Sequence, residues 1–246
     1  MTKEDGKAME HKDQNQHVCL VCGYNMVGYL PDCCPFCGAS CSQFITATEC
    51  SNRFKVIATP VNDTVTRLSS VPPLGLEHAA YKIKTDTSVV WIDCPSTFDP
   101  ILETPHTITF THHHFLGASN LYKESKGSRL SIHRQDSTFD LCRGYSFDKL
   151  FEDDHEISGI QAYHIAGHTP GFTCYLHEET LFICDYVFYD AETMIYNPYG
   201  PRNKTEEGGR ELMKIIRKKK LTKVCGYNYV ADFADWIEKF NKLLLK

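Results

Sequence analysis

The sequence predicts a layered α/β domain carrying a small metal-binding knuckle at its N-terminus, and three observations lead there. Short β-branched and aromatic runs recur from Arg53 onward, two amphipathic helical patterns close the chain, and seven of the 12 cysteines crowd between Cys19 and Cys50. The 246 residues are 42% hydrophobic, enough for a packed core, and their number suits one large domain with a module attached. A net charge of -5 gives no electrostatic case for nucleic-acid binding. No apolar run approaches the ~18 to 20 residues of a bilayer span, which argues against a membrane protein. The N-terminus is hydrophilic rather than signal-like, so a soluble cytoplasmic protein is expected.

Residues 1–16 are nearly all charged or amide-bearing and are expected to form a disordered tail. Residues 17–45 hold the cysteine knuckle, and residues 52–246 the α/β domain. Strands are predicted over 54–60, 80–84, 88–93, 107–111, 130–133, 161–166, 173–177, 181–185 and 224–229, where β-branched and aromatic residues cluster. Helices are predicted over 206–219 and 233–244, the second placing Phe233, Trp236, Ile237, Phe240, Leu243 and Leu244 on one face. The basic run Arg217-Lys218-Lys219-Lys220 falls in the last turn of the first of these helices, where cations complement the helix dipole.

Two C-x-x-C turns, Cys19-Leu20-Val21-Cys22 and Cys34-Pro35-Phe36-Cys37, are separated by eleven residues, and each is followed by Gly. Each turn offers two thiolates, the Gly frees backbone N–H groups to approach the sulfurs, and four thiolates bind zinc or a single iron. Cysteines in a chain without a secretion signal point to metal ligands and buried small side chains rather than disulfides. Cys94, Cys174 and Cys184 read as buried side chains and Cys41 and Cys50 as plain residues, while spacing alone selects Cys34 over its neighbour Cys33. With Tyr24, Gly28 and Pro31 filling the intermediate positions, residues 17–40 resemble the rubredoxin-like module of rubrerythrins. The resemblance implies a one-electron Fe(Cys)4 centre at Cys19, Cys22, Cys34 and Cys37. The residues themselves also allow a zinc-filled structural knuckle.

Thr111-His112-His113-His114 ends a predicted strand, and under a period of two His112 and His114 point to one side and can share a metal. Two further signals follow, Gly167-His168-Thr169-Pro170-Gly171 and the apolar run Leu181-Phe182-Ile183-Cys184 ending in Asp185. In this order and spacing, with Trp91-Ile92-Asp93-Cys94 before and Val224-Cys225-Gly226 after, the chain resembles the metallo-β-lactamase-fold superfamily over most of residues 54–246. That resemblance implies an αββα sandwich with a metal site at one edge, between the two sheets. It implies His112, His114, His168 and Asp185 as ligands of one iron or zinc, with His168 and Asp185 also the catalytic residues. Where the family places ligands of a second metal, this chain has Leu116, Gly117 and Tyr227, so a single metal is expected. A phenol at the position of Tyr227 can coordinate iron or donate a proton. His113, His133 and His164 are within sequence reach of the same pocket, although such residues are more often ordinary core or surface histidines.

Together these features point to a metal-dependent oxidoreductase in which the Fe(Cys)4 centre passes electrons to a mononuclear His3Asp site. One alternative is a zinc-dependent hydrolase of esters, thioesters or amides with a structural four-cysteine zinc knuckle. Another is a non-catalytic binding protein that senses metal or redox state. The partners expected are a small-molecule substrate and an electron-donor protein or reductase, with self-association left open.

Overall fold

The computed structural model describes residues 15–190 and 192–245. Its N-terminal lobe is a three-stranded antiparallel sheet in which β1 (Gln16–Cys19) lies between β2 (Asn25–Val27) and β3 (Phe44–Thr46). Gln16, the last residue of the expected tail, is therefore a buried strand residue. The rest of that expected tail, apart from Asn15, lies outside the described residues. Thr46 ends the lobe and caps α1 (Ala47–Arg53): its hydroxyl accepts a hydrogen bond from the Glu49 N–H at 3.1 Å. The Thr-x-x-Glu spacing is the pattern expected of a helix start. So short a helix is held by packing, and Ala47 and Cys50 are its buried residues.

The main body has two sheets. The first comprises β4 (Lys55–Pro60), β5 (Val65–Val71), β6 (Ala80–Lys84), β7 (Val89–Ile92), β8 (Thr107–Thr109), β9 (Arg129–His133) and β10 (Lys149–Phe151), side by side in sequence order. Pairing is antiparallel from β4 to β7 and parallel from β7 to β10. The helix α2 (Ser119–Lys126) makes the crossover from β8 to β9. The second sheet begins with β11 (His155–Ile157), β12 (Ile160–His164), β13 (Thr173–His177) and β14 (Thr180–Cys184). A hairpin of β15 (Val187–Tyr189) and β16 (Met194–Tyr196) and the helix α3 (Arg202–Ile216) then intervene. β17 (Lys223–Gly226), parallel to β14, and β18 (Val230–Asp232) complete the sheet, and α4 (Phe233–Leu244) closes the chain.

Side-chain alternation explains the layering. All four residues of β7 are buried: Val90 and Ile92 join Tyr81 and Ile83 against Tyr175, Phe182 and Cys225 of the second sheet, while Val89 and Trp91 turn outward to Leu121 and Tyr122 of α2. A strand covered on both faces needs the continuous apolar run seen here. Along β14, Phe182 faces the first sheet, and Leu181 and Ile183 face Leu212, Ile216, Trp236 and Phe240 of α3 and α4. Trp236, Phe240 and Leu243 recur at helical spacing, and burying each such side chain contributes on the order of 1.5 to 3 kcal/mol. The result is the four-layer αββα sandwich expected.

Among the predicted strands that are shorter in the structure, two end early for visible reasons. The strand expected over 107–111 stops at Thr109 because the Asp93 carboxylate takes the Thr111 N–H at 2.9 Å. The strand expected over 224–229 breaks at Gly226 because the Tyr227 N–H donates instead to the Cys184 carbonyl at 2.9 Å. Among the described residues, no helix is long and apolar enough to cross a membrane.

Candidate metal centres

The two C-x-x-C turns bring the sulfurs of Cys19, Cys22, Cys34 and Cys37 within 4.8 Å of one another. Cys19 Sγ and Cys37 Sγ are 3.7 Å apart, as are Cys22 Sγ and Cys34 Sγ. A tetrahedron with metal–sulfur bonds of ~2.3 Å has sulfur–sulfur edges of about 3.8 Å, so the cluster has the dimensions of a four-thiolate site. Hydrogen bonding from Cys22 lowers the Cys34 thiol to about 5, and the same pairing pushes Cys22 up. Burial raises Cys19 to about 11, against N–H groups of Cys22 and Val21 that favour its thiolate. Cys33 is exposed and stands outside the cluster, as do Cys41, also exposed, and Cys50, which is buried beside Thr97.

The second cluster gathers at the C-terminal ends of strands from both sheets. His112, His114, His168 and Asp185 place one ligand atom each within 4.8 Å of the others. His112 Nε2 lies 3.5 Å from Asp185 Oδ1, His168 Nε2 lies 3.6 Å from Asp185 Oδ2, and His168 Nε2 lies 3.3 Å from His114 Nδ1. Metal–ligand bonds of ~2.1 Å in a tetrahedron give edges of about 3.4 Å. His112 Nε2 and Asp185 Oδ1 are buried without a hydrogen-bond partner, the condition of groups waiting for a cation. Both clusters are therefore possible metal sites.

His112 and His114 converge by a route other than strand alternation. The chain leaves the sheet after Thr109 and stays extended at His112, and His113–Phe115 then form a single 3-10 turn that swings His114 back to face His112. His113 points away, its Nδ1 3.1 Å from Asp136. The Thr111 hydroxyl lies 2.9 and 3.0 Å from the Asp93 oxygens and 3.1 Å from His112 Nδ1. A hydroxyl that donates to the carboxylate accepts from Nδ1–H, which leaves the lone pair of His112 on Nε2, facing the cluster. Asn197, just past β16, donates from Nδ2 to Asp185 Oδ2 at 2.9 Å and to the Asp185 carbonyl at 3.0 Å.

Burial dominates the electrostatics. It lowers His168 to about 4 and His112 and His114 well below their ordinary value, so all three imidazoles are neutral and able to ligate. It raises Asp185 to about 8 and Asp93 to about 7. A cation among the imidazoles would oppose that shift and hold Asp185 ionised. Backbone strain collects in the same place. Asp93 (φ 58°), Ala166 (φ 52°) and Cys184 (φ 45°) are left-handed non-glycine residues next to or near the ligand motifs, at a cost of roughly 1 to 3 kcal/mol each.

Among the described residues, no further His, Cys, Asp or Glu joins this cluster to hold a second metal. Leu116 is buried in the outer core beside Trp91 and Leu121, and Gly117 has φ 51°, where a Cβ would run into the Cys94 and Pro95 carbonyl oxygens. Tyr227 is half-buried, its ring 5.3 Å from that of Phe188, and burial together with the nearby Asp185 raises its phenol. His133 and His164 stack on each other at 4.0 Å, with Nε2 atoms on the Glu152 and Pro170 carbonyls at 3.0 and 2.8 Å, away from the cluster.

The two centres are neighbours. Phe36, between Cys34 and Cys37, stacks on Tyr24 with ring centroids 5.7 Å apart and meets the His114 ring edge-on at 5.3 Å and 70°. The Tyr24 hydroxyl donates to the Leu141 carbonyl at 3.0 Å, with the His113 carbonyl 3.4 Å away. A crevice of about 10 Å³ lined by Cys22, Phe36, His78, His114 and Phe115 lies between the clusters, with room for about one water. The positions of Phe36 and Asn197 carry no signal in the sequence, since an aromatic in a C-P-x-C turn and an Asn in a loop have many ordinary uses.

No protein-family model matches the chain, and no curated protein matches it. Solved structures do. A metallo-β-lactamase from Pontibacter korlensis superposes with a TM-score of 0.63 at 15% identity, over 78% of this chain and 100% of its own. One from Hirschia baltica gives 0.61 at 12% identity, over 76% of this chain and 96% of its own. At such low identity the likeness speaks for architecture alone. The chain has the metallo-β-lactamase fold, with a four-cysteine cluster added at its N-terminus.

Proposed function

We propose that the chain is a metal-dependent oxidoreductase in which iron held by Cys19, Cys22, Cys34 and Cys37 passes electrons to a single iron held by His112, His114, His168 and Asp185. The observation that carries this reading is the seat of Phe36, which belongs to the turn between two thiol ligands and lies against the ring of His114. Electron transfer weakens steeply with separation, so packing one ligand turn on a ligand of the other centre favours it. A knuckle that only held the fold would need no such contact.

When bound, iron at the thiolates would supply one-electron chemistry, and iron at the imidazoles would supply a redox-active centre at which a small oxidising substrate takes up those electrons. The side chains do the rest. Thr111 and Asp93 fix the tautomer of His112, and Asn197 holds Asp185. Asp185, held ionised beside the metal, is the buried carboxylate placed to orient the substrate, and His168 is the second catalytic residue. Dioxygen, superoxide, peroxide and persulfide are the substrate classes that suit such a site. Each electron delivered must be replaced, so an electron-donor protein or reductase is the expected partner. A chain whose cysteines are all free suits the reducing cytoplasm.

The test is to reduce the full chain anaerobically, mix it with dioxygen or peroxide and follow the return of the thiolate–iron colour. Reoxidation should be fast in the wild type and slow in His168→Ala, whose thiolate spectrum should be intact. Equal rates would sink the reading. A second reading, a zinc hydrolase of esters, thioesters or amides, draws support from the near-tetrahedral spacing of the His3Asp atoms, which suits zinc as well. Colourless protein containing zinc at both sites would favour it.

A further inference from the structure

Asp136 lies just past β9 and is fully buried, yet it contributes no atom to either metal cluster. Its Oδ2 accepts the His113 N–H at 3.0 Å and the Thr169 hydroxyl at 2.9 Å, and it lies 3.1 Å from His113 Nδ1. Its Oδ1 accepts the Gly171 N–H at 2.8 Å. His113 stands between His112 and His114 in the loop after β8 of the first sheet. Thr169 and Gly171 follow His168 in the loop after β12 of the second. One carboxylate thus joins the two loops that supply all three imidazoles, and those loops come from different sheets.

We infer that Asp136 is a positioning residue that sets the distance between the His112/His114 turn and His168, and so the affinity of the His3Asp site for its metal. Three donors, the His113 N–H, the Thr169 hydroxyl and the Gly171 N–H, converge on the two carboxylate oxygens, and His113 Nδ1 adds a fourth in the tautomer protonated there, which fixes the carboxylate's orientation. Charge-assisted hydrogen bonds of this kind are about twice as strong as neutral ones. The loops have little freedom around it. A Cβ on Gly171 would lie 2.8 Å from Asp136 Oδ1, and the His113 ring is clamped from its other side by Phe139, stacked at 4.0 Å. A ligand set must be held to within about 0.5 Å to function; one backbone bond, from the Thr173 N–H to the Thr111 carbonyl at 2.9 Å, ties the ends of the two loops, and Asp136 ties them again at His113, Thr169 and Gly171. The inference rests on the His3Asp site being a metal site and is independent of which reaction occurs there.

The experiment is a cobalt(II) titration of the full-length apoprotein, read by visible spectroscopy, with zinc(II) affinity measured by chelator competition. The intense thiolate bands report the four-cysteine site and the fold of the lobe, and the weaker ligand-field bands report the His3Asp site. In Asp136→Asn the thiolate bands and the Tm should stay near wild type. Affinity at the His3Asp site should fall roughly 10- to 100-fold, the usual effect of losing a partner that orients ligands, and its bands should shift. Wild-type affinity and unshifted bands would overturn the inference. Should Asp136→Asn fail to fold, Thr169→Val and His113→Phe each remove one arm, the latter preserving a ring against Phe139. Each should weaken the site, and because both arms end on the same oxygen, the double variant should depart from the product of the singles. Unchanged affinity in both singles would overturn the role of Asp136. Cobalt uptake only at the thiolates in the wild type would remove the metal site itself, and that outcome is distinguishable from the others.

Discussion

The ring of Phe36 meets the ring of His114 edge-on, with centroids 5.3 Å apart at 70°. One belongs to a thiol-ligand turn and the other is an imidazole of the second cluster, so the two candidate centres share a wall. Phe36→Ala should slow reoxidation of the reduced four-cysteine centre toward the rate of His168→Ala while metal content stays unchanged. Stopped-flow absorbance checks this. A rate equal to wild type would show that the contact is mere packing.

Asn197 holds Asp185 by two hydrogen bonds of 2.9 and 3.0 Å. Asn197→Leu removes one donor from the buried Asp185 carboxylate and one from its main-chain carbonyl, so metal affinity at the His3Asp site should drop about 10- to 100-fold. Zinc competition titration against a chelator reads it, with the four-cysteine site as the internal reference.

Gly117 stands where a side chain has no room, at φ 51° and against the Cys94 and Pro95 carbonyls. Gly117→Ala should cost at least about 2 kcal/mol and lower the Tm by roughly 4 °C or more. Thermal unfolding followed by circular dichroism measures this. A Tm equal to wild type would mean the turn can relax, and the absence of a second-metal ligand would then rest on Leu116 and Tyr227.

His78 is buried against Phe115 with ring centroids 3.9 Å apart, and burial lowers it to about 3. Its folded value lies below the unfolded value of about 6.5, so the neutral form stabilises the fold fully above that pH. The contribution is lost as pH falls toward 3, at about 1.4 kcal/mol per pH unit. His78→Phe keeps the stack and removes the titration. Its Tm should fall less than that of wild type between pH 7 and pH 4, and parallel curves would contradict the assignment.

Much of this was legible in the sequence because it is periodic or closely spaced. The apolar run of β7 and the one-face pattern of α4 reveal the layers, and the C-x-x-C pairs and the His112, His168 and Asp185 motifs identify the side chains that cluster. What escaped depends on distant meetings. The strand β5, which reads Val-Thr-Arg-Leu-Ser-Ser-Val, is too polar to stand out and forms because β4 and β6 pair with it on either side. Asp136 joins residues 23 and 35 positions away, and Phe36 reaches a ring 78 positions on. Local spacing also gave the wrong reason for the facing of His112 and His114, since the 3-10 turn at 113–115 requires the Asp93 and Asp136 carboxylates, neither of them near in sequence.

The most direct test of the central claim is a visible absorption spectrum with metal analysis on the full-length chain purified without added metal. A red protein with thiolate–iron bands and two irons per chain, one of them lost together with turnover but not colour in His168→Ala, is the result expected. Colourless protein with zinc at both sites, or iron confined to the cysteines with His168→Ala indistinguishable from wild type, would contradict it.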